Sequence, residues 1–325
     1  MIKFFRQSYA IQYVVIALLA IALWIPSFAS AKVMMGMGQP VIPLFNLIDN
    51  MLGFSPVVQL VFAFLLLAFE TLIFNSILVN NQIIGKVSTI GAFVFVLLMS
   101  LSRTQTHFYP FALSVLFILL VINNLFDIYL EQKPELDLLK SGIFVALASM
   151  CYFPAIVLVV WVMVALPIAK KSSLRLELIP LVGFFVVYFF YFVGVYLFGD
   201  FLPTFYGYRD WFMNLEWSVE GFNVQSVILL AALVVIATLM LFGNSNLEKA
   251  IAVRVKITMS MMLMAFAILL LFIGGDVFVN GLIFIVLPVI FAYEFTYLTT
   301  TGWANLGLGL FILLAFANHY FFKLL

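Results

Sequence analysis

An uncharged run of 29 residues, Ser141–Ala169, constrains the fold of this chain more than any other feature. Lys140 precedes the run and Lys170 follows it. A membrane crossing takes about 20 apolar residues, so the run is too long for one comfortable crossing and too short for two. Pro154, near its middle, would interrupt a helix. The run therefore predicts either a hairpin of two short helices or a single long crossing.

Composition places the whole chain in a lipid bilayer. Of its 325 residues, 66% are hydrophobic and 9% are charged, whereas about a quarter of a soluble domain is charged. A formal net charge of +1 gives no sign of a nucleic-acid partner. The single cysteine, Cys151, excludes an intramolecular disulfide, and two histidines exclude a His-rich metal site.

Charge-poor runs predict an all-α, polytopic transmembrane bundle of about 9–10 spans around the hairpin, in a single integral membrane domain over 1–325. The full spans are expected at about 10–30, 56–79, 87–101, 111–129, 178–198, 224–242, 257–274, 279–297 and 303–321. The first is expected to be retained, because its apolar core exceeds the ~7–15 residues of a secretory signal. Residues 42–54 are apolar but contain Asn46 and Asp49, which is typical of a helix lying in the membrane interface.

The distribution of basic residues favours the hairpin over the single crossing. Short cytoplasmic loops collect Lys and Arg. With a hairpin and a cytoplasmic N-terminus, 11 of the 15 basic residues lie inside, whereas a single crossing leaves 7 inside and 8 outside. The four outer residues in the hairpin arrangement are Lys32, Arg103, Arg209 and Lys323. We therefore expect a bacterial inner-membrane protein with a cytoplasmic N-terminus, whose polar segments 31–55, 102–110 and 199–223 share the outer face.

Three acids lie within the predicted spans, Glu70, Glu294 and Asp127, and Asp127 is expected to form an interfacial cap at the end of its span. The chain lacks the nucleotide-binding, zinc-protease and serine-hydrolase motifs of soluble enzymes, so ionisable groups at membrane depth are the default functional candidates. Glu70 lies well inside its span, where it could bind a proton or substrate or make a structural hydrogen bond. Glu294 lies near the end of its span beside Tyr293, and we expect its side chain to reach the inner interface.

Further candidates lie in the polar segments assigned to the outer face. Asp49 could deprotonate an acceptor hydroxyl or hold a metal, or it could belong to the solvated face of an interfacial helix. Arg103 and His107, four residues apart, could meet one phosphate or could simply cap helices. Arg209 and Asp210 lie among aromatic residues and could bind a lipid phosphate or a sugar, although such residues also form the usual interfacial belt.

Three separate stretches of the N-terminal half carry a resemblance to a known superfamily. In chain order they are PLFNLIDNMLGFSP, YPFALSVLFILLVINNLFDIY, and SGIFVALASMCYFPAIVLVVWVMVAL with a basic loop after it. Their arrangement, within residues 1–198, resembles the GT-C superfamily of membrane glycosyltransferases, which use polyprenyl-phosphate sugars. Residues 199–325 would then be additional C-terminal spans. Residues 127–200, including LASMCYFP and GVYLFGD, also resemble a family of Bacteroidota inner-membrane proteins of unknown function.

The GT-C likeness implies glycosyl transfer, or handling of a lipid-linked saccharide, on the outer face. It implies Asp49 as base, Arg103 and Arg209 as phosphate ligands, polyprenyl-phosphate sugar and membrane lipid as partners, and a divalent metal as an optional cofactor. Such enzymes usually place an acid soon after the first span, and Ala31–Pro40 contains none, so an inactive relative stays open. The alternatives are a transporter or flippase that uses Glu70, and a non-catalytic subunit bound to an envelope protein.

Overall fold

The computed structural model describes residues 2–7, 10–29, 41–53, 55–85, 87–101, 105–129, 131–199, 201–213, 224–243, 251–274, 281–297 and 301–322. These residues form fourteen α-helices and no strand, which confirms the all-α class. Five helices in this part of the chain are long and apolar enough to cross a membrane: Ala10–Ala29, Pro56–Asn80, Pro110–Ile128, Leu174–Phe198 and Ile251–Ile268. The chain is therefore a multi-pass helical membrane protein.

The helices are numbered in chain order. Helices α1 to α7 are Ile2–Phe5, Ala10–Ala29, Pro43–Leu52, Pro56–Asn80, Ile90–Met99, Pro110–Ile128 and Glu135–Cys151. A 3-10 turn, Phe153–Val157, precedes α8. Helices α8 to α14 are Leu158–Ile168, Leu174–Phe198, Phe201–Met213, Val224–Gly243, Ile251–Gly274, Ile283–Tyr297 and Thr301–Ala317, and a π turn, Asn318–Phe322, follows. Proline begins α3, α4 and α6, where its missing amide hydrogen breaks no helical bond.

Helices α7 and α9 run parallel to each other. Gly142 of α7 lies directly against the backbone of Pro180 of α9. Further along both helices, the hydroxyls of Ser149 and Tyr188 are 2.9 Å apart. Because these contacts advance in the same direction along α7 and α9, the intervening α8 must run back the other way. The run 141–169 is therefore folded as a hairpin.

Both ends of this hairpin lie on the same side of the bundle. Lys171 Nζ, just after α8, donates to the carbonyl of Glu131, just before α7, at 3.0 Å. At the tip, the ring of Tyr152 makes an edge contact with that of Phe111, with centroids 5.3 Å apart. Phe111 begins α6, so the hairpin extends along the whole of that helix. It reaches so far because α7 starts at Glu135, before the apolar run, and its 17 residues span roughly 25 Å.

The bundle has two ends, which we name the Asn81 end and the Ser100 end. At the Asn81 end, Lys256 of α12 donates to Asn81 Oδ1 at 2.7 Å, and Asn81 Nδ2 lies 3.5 Å from Asn123 Oδ1 of α6. At the Ser100 end, the indole of Trp24 in α2 donates to Ser100 Oγ at 3.1 Å. The assignment of the Asn81 end to the cytoplasm remains a prediction from the basic residues.

Helix α5 is unusually short for its central place. It has 10 residues, roughly 15 Å, and every one of them is buried. The segments on either side of α5 must therefore fold into the bundle. Non-helical backbone at membrane depth is tolerated only where it is buried in protein or lines a cavity. The segment 100–109, between α5 and α6, meets both conditions in the residues that the structure describes.

Candidate functional site

Glu70 lies in the middle third of α4 and faces the protein interior, with 2% of its surface exposed. Within the described part of the chain, its Oε1 atom has no hydrogen-bond partner. Most buried polar atoms are paired, and an unpaired one calls for an explanation. A lipid-facing Glu70 would have excluded a role in transport, and the structure does not place it there.

A cavity of about 10 Å³ lies beside Glu70. A single water molecule needs about 10–15 Å³ of such space, so the cavity can hold roughly one. The segment 100–109 supplies three of the four polar lining residues. The polar lining is Glu70, Gln105, His107 and Tyr109, and the apolar lining is Trp24, Ala63, Leu66, Leu67, Met99 and Ala112.

Phe108 packs this segment against α3 and α4. Its ring stacks on Phe45 of α3, with centroids 5.0 Å apart, and makes an edge contact with Phe62 of α4 at 5.4 Å. His107 and Tyr109 flank Phe108 in the chain, so the anchored ring helps to hold both at the cavity wall. Helix α3 thus supports the site although it contributes no residue to the lining.

The lining combines groups that can hold or pass a proton. A carboxyl group, an imidazole and a phenol surround a space of about one water molecule. Such side chains exchange protons with each other or through one bridging water. Tyr109 is buried and lies within electrostatic range of Glu70. The arrangement is suited to proton binding and is too small, in this conformation, for a sugar or a lipid headgroup.

Two of the predicted site residues, Glu70 and His107, meet at this cavity. The sequence paired His107 with Arg103 as phosphate ligands, but Arg103 lies outside the described residues. His107 is half-buried and lines the Glu70 cavity. Its role in phosphate binding stays a prediction.

Asp49 lies apart from the cavity lining. In α3, its Oδ1 accepts a hydrogen bond from Gln59 Nε2 of α4 at 2.8 Å. Partial burial raises the pKa of the Asp49 carboxyl. The raised pKa makes this carboxylate a stronger base than an exposed aspartate. Its proposed catalytic role stays a prediction.

Arg209 and Asp210 lie on the exposed surface of α10 and pair with each other. Arg209 Nη2 is 2.9 Å from Asp210 Oδ1, and the guanidinium lies 4.7 Å from the centre of the Tyr206 ring. Helix α10 rests on the hairpin tip, where Trp211 meets Phe153 with ring centroids 4.6 Å apart. Phosphate binding at Arg209 would compete with the neighbouring carboxylate, and it too stays a prediction.

Glu294 does not reach the interface as expected, because it is fully buried at 0% exposure. The N-terminal segment lies over this end of α13: Arg6 Nη2 donates to the carbonyl of Phe295 at 2.9 Å. The expectation that Glu294 reaches the interface was wrong. The position of a residue near the end of a span does not reveal which other segment of the chain covers that end. Glu294 is absent from the lining of the Glu70 cavity.

The sequence did not single out three residues that contribute to the site or to the packing of the bundle. Gln105 and Tyr109 line the cavity, and Lys256 is buried, with 3% of its surface exposed, in contact with Asn81. The sequence places Lys256 only among the 11 basic residues expected on the inner side. The shortness of the span at 87–101 was the one available signal that the segment before Pro110 folds inward.

No family model, curated protein or solved structure matches this chain. The likeness to the GT-C superfamily and to the Bacteroidota family therefore remains a prediction from sequence pattern. Function has to be inferred from the geometry and chemistry of the site itself.

Proposed function

We propose that this protein is a membrane transporter in which Glu70 binds and releases a proton. The observation that carries the proposal is the buried Glu70 Oε1, which has no partner among the described residues and lies at a cavity shared with His107. Ionisable groups within spans are costly and mark proton and ion pathways. In such surroundings, gain or loss of one proton changes the energy of the site enough to favour one conformation over another.

The size and lining of the cavity favour a proton over a larger ligand. Space for about one water molecule can bridge Glu70 to His107 but cannot admit a saccharide. Histidine is the side chain whose charge ordinarily changes near neutral pH, which suits it to pass a proton onward. In this proposal His107 relays protons between Glu70 and the Ser100 end of the bundle.

The irregular elements around the site support transport. Helix α5 is a short buried helix with non-helical segments at both ends, and α7 and α8 form a broken pair. Discontinuous helices build substrate and ion sites near the bilayer midplane in many transporters. They provide the hinge points that a change of access between the two sides requires.

A carbodiimide tests the proton site without knowledge of the transported substrate. Apolar carbodiimides enter membranes and add covalently to protonated carboxyl groups, and mass spectrometry locates the adduct. We expect labelling at Glu70 that fades as pH rises and is absent in Glu70→Gln. The matched control, Glu294→Gln, removes another buried acid and should leave labelling of Glu70 intact. Failure of Glu70 to react at any pH would reject the proposal.

Transport itself is tested in proteoliposomes that contain a pH-sensitive dye. We expect wild type and Glu294→Gln to carry protons in response to a membrane potential or to candidate substrates, and Glu70→Gln to be inactive. A stable co-purifying protein, together with full cellular function of Glu70→Gln, would instead favour the non-catalytic subunit of an envelope complex.

A second candidate function is the handling of a lipid-linked saccharide at the Ser100 end. Asp49, on the amphipathic helix α3, favours it because burial raises the pKa of this carboxyl, which strengthens it as a base. The order of one span, an interfacial helix and a later hairpin is the pattern on which the GT-C likeness rests. Comparison of glycolipid profiles between Asp49→Ala and wild-type cells tests it, and identical profiles would exclude Asp49 as a catalytic base.

A further inference from the structure

The segment that lines the Glu70 cavity is held by the C-terminal end of the described chain. His319 Nε2 lies 2.6 Å from the carbonyl oxygen of Ser100, and Asn318 Nδ2 donates to the carbonyl of Leu101 at 2.6 Å. His319 is fully buried, and Asn318 is nearly so. Two consecutive residues directly after α14 thus bind the first two carbonyls after α5.

A π turn makes this pairing possible. Residues 318–322 leave the α-helical path for a wider turn, a rare conformation that is frequent at functional sites. In this turn Asn318 and His319 both face the 100–109 segment. The next residue, Tyr320, instead donates through its hydroxyl to the carbonyl of Ala22 in α2, at 2.8 Å.

The chemistry of the contact fixes the proton on His319. A carbonyl oxygen only accepts hydrogen bonds, so Nε2 must carry a hydrogen. The last carbonyls of a helix have no partner within that helix. An unsatisfied carbonyl at membrane depth is expensive, and His319 and Asn318 supply donors to two carbonyls just beyond α5.

Two hydrogen bonds from α2 also hold this segment. Trp24 donates to Ser100 Oγ at 3.1 Å, and the hydroxyls of Ser27 and Thr106 are 2.6 Å apart. Trp24 also lines the Glu70 cavity. Residues 100, 101 and 106 of this segment are therefore held by hydrogen bonds from α2 and from the turn after α14.

We propose that His319 and Asn318 are positioning residues for the Glu70 site. They hold the segment that places Gln105, His107 and Tyr109 at the cavity wall, and they keep the cavity too small for bulk water. The link to proton binding rests on the proposed function of Glu70. The placement of the segment by His319 and Asn318 does not rest on that function. An experiment can therefore reject either the placement or the link to proton binding without rejecting the other.

The test compares His319→Ala and Asn318→Ala with two matched controls, all in full-length protein in lipid nanodiscs. His319→Gln retains an N–H donor, and Tyr320→Phe removes a hydrogen bond from the same turn that does not reach the 100–109 segment. Hydrogen–deuterium exchange measures the protection of residues 100–109. Carbodiimide labelling over a range of pH measures the state of Glu70.

We expect amides of residues 100–109 to exchange about tenfold faster in both alanine variants, because a buried hydrogen bond is lost. Water admitted to the cavity should also move half-maximal labelling of Glu70 to lower pH. His319→Gln and Tyr320→Phe should resemble wild type in both measurements.

Each result decides one part of the proposal. Unchanged exchange in both alanine variants, or equal acceleration in Tyr320→Phe, would overturn the positioning role whatever Glu70 does. Faster exchange with an unchanged labelling profile would overturn the link between the Asn318 and His319 contacts and proton binding at Glu70. Faster exchange in a protein whose Glu70 never reacts would reject the proton site and still support placement of the segment by His319 and Asn318.

Discussion

At the level of single residues, Glu70 and Glu294 show what an intramembrane acid reveals in a sequence. Both acids stood out because charges are rare in spans. The sequence predicted that Glu70 lies deep in its span, and the structure shows it buried. It could not predict that His107 and Tyr109 line the same cavity as Glu70, because this depends on how deeply a segment with no helical pattern folds inward. For Glu294, the sequence did not reveal that the N-terminal segment covers this end of α13.

Asp49 gives a prediction about pH. Because burial raises the pKa of Asp49, the folded protein keeps this proton to higher pH than the unfolded chain. Stability should therefore fall as pH rises from the ordinary Asp value of about 3.9 through the raised value. Asp49→Asn keeps an acceptor oxygen for Gln59 and removes the titration, so its melting temperature should lose this pH dependence.

Thermal unfolding in detergent between about pH 4 and 7 measures the effect. Asp210→Asn is the control, because Asp210 is exposed on α10. Identical pH profiles for Asp49→Asn and wild type would show that Asp49 titrates alike in both states.

At the level of elements, the parallel packing of α7 on α9 depends on glycine. A Cβ atom at Gly142 would collide with the Pro180 carbonyl, whereas nothing lies within 4 Å of a Cβ at Gly194 of α9. We expect Gly142→Ala to destabilise the protein by about 1–3 kcal/mol through overpacking. Gly194→Ala should be neutral or stabilising by up to about 1 kcal/mol, because alanine favours helix.

Denaturation by a titrated detergent gives both free energies. Equal stability of the two glycine variants would contradict the close α7–α9 contact.

Lys256 ties α12 to the turn after α4. Its Nζ donates to Asn81 Oδ1 at 2.7 Å and to the Asn81 carbonyl at 3.3 Å. Lys256→Met should cost about 1–3 kcal/mol, because it leaves buried acceptors without a donor. Lys140→Met is the control: Lys140 pairs with Asp137 at 2.9 Å but its side chain is 46% exposed, so its loss should cost less than about 1 kcal/mol. Equal losses in a chemical denaturation series would contradict this role for Lys256.

Hydropathy predicted the order of these elements well, and the hairpin too, since both follow from where charges are absent and where Lys and Arg collect. The hairpin's length was not evident, because α7 begins in a charged segment at Glu135. Nor does a sequence show which helices pack in parallel. Gly142 and Gly183 mark the close approach, but small residues do not identify their partner.

For the whole molecule, the topology predicts which loops a membrane-impermeant thiol reagent can reach. With Cys151→Ala as background, Ser172→Cys lies at the Asn81 end and should be protected in intact spheroplasts, because that end collects the basic residues. Met213→Cys, on the exposed face of α10 at the Ser100 end, should react at once. Labelling of Ser172→Cys from outside would reverse the orientation.

The two ends of the molecule differ in what they hold. The Ser100 end holds helices α3 and α10, the hairpin tip and the segment that lines the Glu70 cavity. At the Asn81 end, Lys256 contacts Asn81, and the N-terminal segment lies over the end of α13. In the proposed function, a proton that enters through His107 reaches Glu70 from the Ser100 end.

The most direct test of a proton at Glu70 is infrared difference spectroscopy of the protein in nanodiscs during a pH titration. We predict a carbonyl band of a protonated carboxyl group that disappears reversibly as pH rises, is absent in Glu70→Gln and persists in Glu294→Gln. A band that does not titrate, or that is identical in wild type and Glu70→Gln, would contradict the assignment of Glu70 as the proton-binding group.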